Sequence, residues 1–163
     1  MTQVYAGDFP YKNVRTRGFE LVQPAVGGSK LPQHSTLKAA AYDFFAPVDI
    51  ELLPNVTVLV WTGVKAYMQD NETLICANRS SNPIKRNIVL ANGIGVIDQD
   101  YYSNPNNDGQ IGFELVNTSD ETVWIHRWDR IGQGMFIPFL PADSWTFKEK
   151  WQKRKNGIGS TGV

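Results

Sequence analysis

Four short stretches of this sequence carry side chains suited to chemistry on an anion. In "ANGIGVIDQDYY", Asp98 and Asp100 stand two apart behind the apolar pair Val96 and Ile97. On a strand they would share a face, and a carboxylate held at the lip of a core can activate water or approach a metal. The same DQD also reads as a solvated turn entry. "ANRSSNPIK" sets Arg79, Ser80 and Ser81 ahead of a helix start, where a guanidinium fork and backbone N–H groups suit phosphate oxygens. Plain capping by Ser80, Ser81 or Asn82 is the alternative. Asp43 lies between aromatics in "AAAYDFF", either as an isolated acid or as the marker of a strand end. "WDRIGQG" gathers Asp129, Arg130 and Gln133 at a strand start, by itself an ordinary surface turn.

Glycine-rich sequence recurs in two places. NGIG occurs at Asn92 and again at Asn156, where it opens the terminal "NGIGSTGV". Glycine lets a backbone approach a ligand closely, and successive N–H groups suit anionic oxygens. Other chemistries are poorly represented. The two histidines, His34 and His126, have neither metal-ligand spacing nor a serine nucleophile beside them, and there is no Walker A loop. The single cysteine, Cys76, sits in the apolar run "TLICA" and reads as a buried thiol. It permits no intrachain disulfide and suits a cytosolic setting. Sixteen basic residues balance sixteen acidic ones, which argues against direct nucleic-acid binding. No apolar run is long enough for a membrane helix, and the N-terminus lacks a hydrophobic signal core.

The elements expected to position these groups are short strands. "RGFELVQ", "TVLVWTG", "ETLICAN", "RNIVLAN", "QIGFELVN", "ETVWIHR" and "GQGMFIPF" are rich in β-branched and aromatic residues, and polar turn clusters separate them. One short helix is expected after Asn82 as cap, with Pro83 at its first position. Many short strands in 163 residues predict a single all-β sandwich or barrel domain. Beyond the last strong strand, the aromatics Trp145, Phe147 and Trp151, the basic patch "KEKWQKRK" and the glycine-rich tip read as a C-terminal arm.

Taken in chain order, "AAAYDFFA", "NRSSNPIK", "NGIGVIDQDY", "DRIGQG" and "NGIGSTGV" resemble the five ordered motifs of the homotrimeric dUTP pyrophosphatases (dUTPases), from Ala40 to the C-terminus. The resemblance implies a jelly-roll-like β-barrel, a homotrimer with sites at subunit interfaces, and Mg²⁺-assisted hydrolysis of dUTP to dUMP and pyrophosphate. It makes residues 1–163 one domain, with an N-terminal extension over residues 1–15 and a mobile arm over residues 141–163. Asp98 corresponds to the carboxylate that orients and activates the attacking water. Tyr101 would lie under the deoxyribose and exclude a 2′-hydroxyl. Asn92, Gly95 and Ile97 belong to the hairpin whose backbone reads uracil. Arg79, Ser80, Ser81 and Gln133 fall at phosphate-contacting positions. Asp43 is the first motif's acid, near the metal through water. Arg154, Ile158, Gly159, Ser160 and Thr161 belong to the closing arm.

Three positions depart from the commonest pattern. Ile158 stands where an aromatic usually stacks on uracil, and the usual arginine falls on Lys153, with Arg154 and Lys155 following. After Tyr101 the usual glycine-containing turn is replaced by the longer "YSNPNNDG", similar to the variant of Gram-positive bacteria and their phages. Two other readings share the architecture: a related dCTP deaminase, and a regulatory protein that binds a protein partner through extra segments such as this loop.

Overall fold

The computed structural model describes residues 15–142. Twelve strands account for most of the regular structure among them: β1 (Gly18–Leu21), β2 (Gln33–His34), β3 (Tyr42–Phe45), β4 (Ile50–Leu52), β5 (Thr57–Trp61), β6 (Val64–Tyr67), β7 (Glu72–Ala77), β8 (Ile88–Leu90), β9 (Ile94–Ile97), β10 (Gly112–Asn117), β11 (Val123–Ile125) and β12 (Arg130–Pro138). One α-helix, α1 (Ser81–Arg86), and one 3₁₀ turn, Gln99–Tyr101, interrupt them. The strands form a five-stranded sheet of order β2-β3-β12-β7-β9, a three-stranded sheet β5-β10-β8, and two ribbons, β1-β6 and β4-β11. Every pairing between these strands is antiparallel. The result is the expected all-β fold of jelly-roll type.

All four sheets contribute to one core. Phe44, Leu74 and Ile131 come from the large sheet, Phe113 and Leu115 from the smaller one, and Leu52, Ile125 and Val64 from the ribbons. Phe44 and Phe113 meet between the sheets with ring centroids 5.2 Å apart. Phe19 of β1 closes one side of the core, its centroid 5.4 Å from Phe44 and 5.2 Å from Phe136. Aromatic pairs at such distances contribute beyond the area they bury.

β12 is central, and its "GQG" is far from the surface turn that the sequence suggested. A Cβ on Gly132 would stand 2.1 Å from Cε1 of Phe113, and one on Gly134 would stand 2.9 Å from Cε2 of Phe44. The glycines make room for the two core rings and leave Gln133 between them to face outward. The strand slips register between Arg130 and Gly132, a local bulge of the kind that re-aims side chains. Asn82 donates its side-chain amide to the Ile131 carbonyl within this bulge, at 2.9 Å. Asn82 is therefore a buried residue inside the first turn of α1; the N-cap position belongs to Ser80, two residues earlier than expected.

Gly132→Ala should force the Phe113 ring out of place and cost roughly 1–3 kcal/mol, read as a lower thermal midpoint. Gly27→Ala, where an added Cβ meets nothing within 4 Å, should leave the midpoint nearly unchanged. Equal behaviour of the two variants would refute the packing role of Gly132.

Candidate active site

Strand pairing builds one row of polar side chains. Gln133 of β12 stands opposite Asp43 of β3 on one side and Ala77 of β7 on the other. Two residues beyond Ala77, Arg79 turns back over the sheet. With Ser35 and Ser80 these residues line a cleft of about 330 Å³. Asp43 is 6% exposed, and its carboxylate accepts from Nε of Arg79 at 2.9 Å, from Nη1 of Arg130 at 3.2 Å, and from the Ser35 hydroxyl. Burial alone pushes this carboxyl up, but the Ser35 bond and the two guanidiniums outweigh it and hold it below the usual carboxylate range. Two cations against one anion leave the cleft net positive. Arg79 also donates from Nη1 to Ser81 Oγ at 3.3 Å, and Gln133 donates to the Asn78 carbonyl at 3.0 Å. Ser80 makes no side-chain cap to α1 and is exposed at the lining of the cleft.

A second cleft, of about 490 Å³, lies at the other end of β7 and is lined by Thr73, Val96, Asp98, Asp100 and Phe139 among others. Among the described residues β9 forms the edge of the large sheet, paired only with β7. The register places Gly95 opposite Cys76 and Ile97 opposite Leu74. A Cβ on Gly95 would stand 3.4 Å from that of Cys76, so the strand lies close over a buried thiol whose pKa burial pushes up to about 12. The strand ends at Ile97, and Asp98 takes the N-cap position of the 3₁₀ turn Gln99–Tyr101. Of the two readings of DQD, the structure bears out the turn entry and not the shared strand face: Asp98 precedes the turn and Asp100 lies inside it. Asp98 is exposed.

The chain around Asn92 also differs from expectation. Gly93 adopts φ +74° in a tight turn, and its N–H donates to the Leu90 carbonyl at 3.2 Å. The flanking β8 and β9 do not pair with each other; β8 joins β10 and β9 joins β7. Instead of a hairpin, Asn92 marks a corner where the chain passes from the small sheet to the large one. Exposed Ile94 and Val96 follow on the outer edge.

Tyr101 is buried at 5% exposure, and its hydroxyl donates to the Gln110 carbonyl at 3.0 Å. The structure thus collects Asp43, Arg79, Ser80, Ser81 and Gln133 at one end of β7, and Asp98 and Tyr101 near the other. From Thr73, level with Asp98, to Ala77, level with Gln133, is four strand residues, about 13 Å. Arg154, Ile158, Gly159, Ser160 and Thr161 lie outside the described residues, as does most of the expected arm. Sequence reasoning missed Ser35, which nothing in "PQHSTLK" distinguishes, and treated Arg130 as part of a turn. Among the described residues no three His, Cys, Asp or Glu side chains converge as a metal cage, and no helix is long and apolar enough to cross a membrane.

Comparison with known proteins gives a consistent result. A family model described as dUTPase matches residues 28–162. The deoxyuridine 5′-triphosphate nucleotidohydrolase of Lactococcus lactis subsp. lactis (strain IL1403) is 44% identical over 151 residues, 92% of this chain and 100% of that protein. The one from Histophilus somni (strain 2336) is 33% identical over 147 residues, 88% and 93% of the two chains. A crystal structure of dUTPase from Streptococcus mutans aligns with TM-score 0.74 and 46% identity, covering 78% of this chain and 99% of that one. The dUTPase from phage phi11 of S. aureus shares the fold at 17% identity, with TM-score 0.66 over 85% and 99% of the two chains. A family model spanning most of the sequence, and a close relative aligned over its whole length, show that this chain belongs to the dUTPase family.

Proposed function

We infer that the protein is an enzyme, a dUTP diphosphatase that hydrolyses dUTP to dUMP and pyrophosphate. The observation that carries the residue assignments is the polar row Asp43–Gln133 with Arg79 and Ser80 beside it, a net-positive cleft that suits a polyphosphate. Arg79 presents a fork matched to phosphate oxygens, while Ser80, Ser81 and Gln133 supply neutral donors. Asp98, exposed beside its own cleft, is the base that orients and activates water for in-line attack on the α-phosphorus. Phosphoryl chemistry leaves the protein mainly positioning and charge stabilisation. The edge backbone of β9, from Gly95 to Ile97 after the corner at Asn92, reads the base, and the buried ring of Tyr101 underlies the sugar. Arg154, Ile158, Gly159, Ser160 and Thr161 are assigned to closure over the triphosphate.

Mg²⁺ fits this donor set as an ion carried on the substrate's phosphates, its shell completed by water. Bound there it neutralises charge on the phosphates. Asp43 spends its oxygens on Arg79, Arg130 and Ser35, which favours a clamp on the cations; contact with metal-bound water would be a second use of the same oxygens. A cytoplasmic setting, and one domain over residues 1–163 with an N-terminal extension and a C-terminal arm, complete the proposal.

The two clefts also bear on assembly. Arg79 turns back to the level of Ala77, which is four strand residues from the level of Asp98, roughly 13 Å along β7. A single dUTP would then meet Asp98 of one copy and the cationic cleft of another, as a cyclic homotrimer with shared sites allows.

The direct assay is pyrophosphate release with Mg²⁺ from dUTP, with dCTP, dTTP and UTP alongside; release from dUTP alone is expected, and silence on dUTP from folded protein would overturn the reading. Asp98→Asn should lower kcat on the order of 10²–10⁴-fold while nucleotide binding survives, and an active variant would remove Asp98 from the base role. Mixing and reassembling inactive Asp98→Asn and Arg79→Ala chains in equal amounts should restore about a quarter of the sites. No restoration would place each site within one chain. Asp43 predicts an acid limit. Its folded pKa lies below the unfolded value of about 3.9, so its stabilisation is complete above that value and is lost as pH falls through the folded pKa. Asp43→Asn should flatten this part of the stability–pH curve.

A further inference from the structure

The loop that follows Tyr101 is braced in an unusual way. Asp108 accepts from Nζ of the buried Lys65 at 2.9 and 2.8 Å, and from the Gln23 N–H at 2.8 Å. Its own N–H donates to the Asn104 carbonyl at 2.7 Å. The loop is therefore tied to β6 and to the chain leaving β1. Gly109 adopts φ +79°, and a Cβ there would stand 2.5 Å from the Tyr101 carbonyl oxygen, so the loop backbone passes close to the backbone of Tyr101 with no room for a side chain.

Asn107 occupies the junction. Its Oδ1 accepts from the Gly109 N–H at 3.1 Å, and its Nδ2 donates to the Tyr101 hydroxyl at 2.6 Å. The same hydroxyl donates to the Gln110 carbonyl at 3.0 Å. One phenolic oxygen is thus held as acceptor and as donor by two residues of a single loop, and that loop is anchored by an ion pair. The 3₁₀ turn that carries the ring is only three residues long; the bonds to Asn107 and Gln110 hold the ring at its far end.

We propose that Asn107 is a positioning residue for sugar discrimination: by holding the Tyr101 hydroxyl it keeps the ring from yielding to a ribose 2′-hydroxyl. The inference rests on the reading of Tyr101 as the residue under the deoxyribose. Excluding one oxygen atom needs a wall that does not move, and groups held by neighbouring hydrogen bonds keep such geometry where unsupported ones drift. In this chain the "SNPNNDG" loop is the support of that wall.

The test measures kcat/KM for dUTP and for UTP in wild type, Asn107→Ala, Tyr101→Phe and the double variant, with Tyr101→Ala as reference. Asn107→Ala should lower the dUTP-to-UTP ratio about threefold to tenfold, the worth of one hydrogen bond, chiefly by improving UTP. Tyr101→Phe, which keeps the ring but removes the hydroxyl, should lower it similarly. Once Tyr101→Phe is in place, adding Asn107→Ala should change nothing further. A general loosening of the loop would instead lower the ratio equally in both backgrounds, and that additivity would overturn the proposal. Full discrimination by Tyr101→Phe would overturn it as well, even if Asn107→Ala failed to fold. If Tyr101→Ala also kept full discrimination, the role of Tyr101 under the sugar would fall, a separate result from failure of Asn107 alone.

Discussion

The pairing of the Asp43 carboxylate with Arg79 and Arg130 is the interaction on which the polar end of this molecule depends. It joins three stretches far apart in sequence: a strand near the N-terminus, the segment leaving β7, and the start of β12. Bringing two guanidiniums together without an anion would cost Coulomb repulsion in partly buried surroundings. Removing one partner of a buried pair leaves an uncompensated charge, a far larger penalty than the pair's net worth. The carboxylate therefore lets a net-positive cleft exist at the edge of an apolar core. Gln133 keeps its place in the same row because the glycines on either side of it surrender their volume to Phe113 and Phe44.

The second organising constraint is the length of β7. It carries the cationic row at one end and the carboxylate of Asp98 beside the other, so strand register fixes how the two sets of chemistry are spaced. Nothing local sets that distance. It follows from antiparallel pairing of β7 with β12 on one side and β9 on the other, and a one-residue slip would turn every side chain of either neighbour to the wrong face.

Much of the fold was legible because β1, β5, β7, β8, β10, β11 and β12 carry runs rich in β-branched and aromatic residues bounded by polar turns. Other strands were not, for physical reasons that lie outside the local window. β3 buries three consecutive residues, Asp43, Phe44 and Phe45, so no alternation betrays it. β6 places Lys65 in a buried position, which local pattern reads as surface; its partner Asp108 is 43 residues away. Asn82 looked like a cap because asparagine favours caps, yet its partner is a carbonyl 49 residues distant, exposed by a bulge. The functional motifs were recognisable as an ordered set, whereas their supports were not. Ser35 and Asn107 have no signal of their own, since each matters only through the side chain it touches.

The placement of Cys76 has a practical consequence. It is the chain's sole cysteine, it lies under the β9 edge opposite Gly95, and burial keeps its thiol protonated. A protonated, covered thiol is inert to alkylating reagents. Labelling of native protein therefore counts the moments when the core beneath β7 opens, lifting of the β9 edge among them, with no second thiol to confuse the count. The core beneath these strands thus comes with its own internal clock, one that times its opening without an introduced probe.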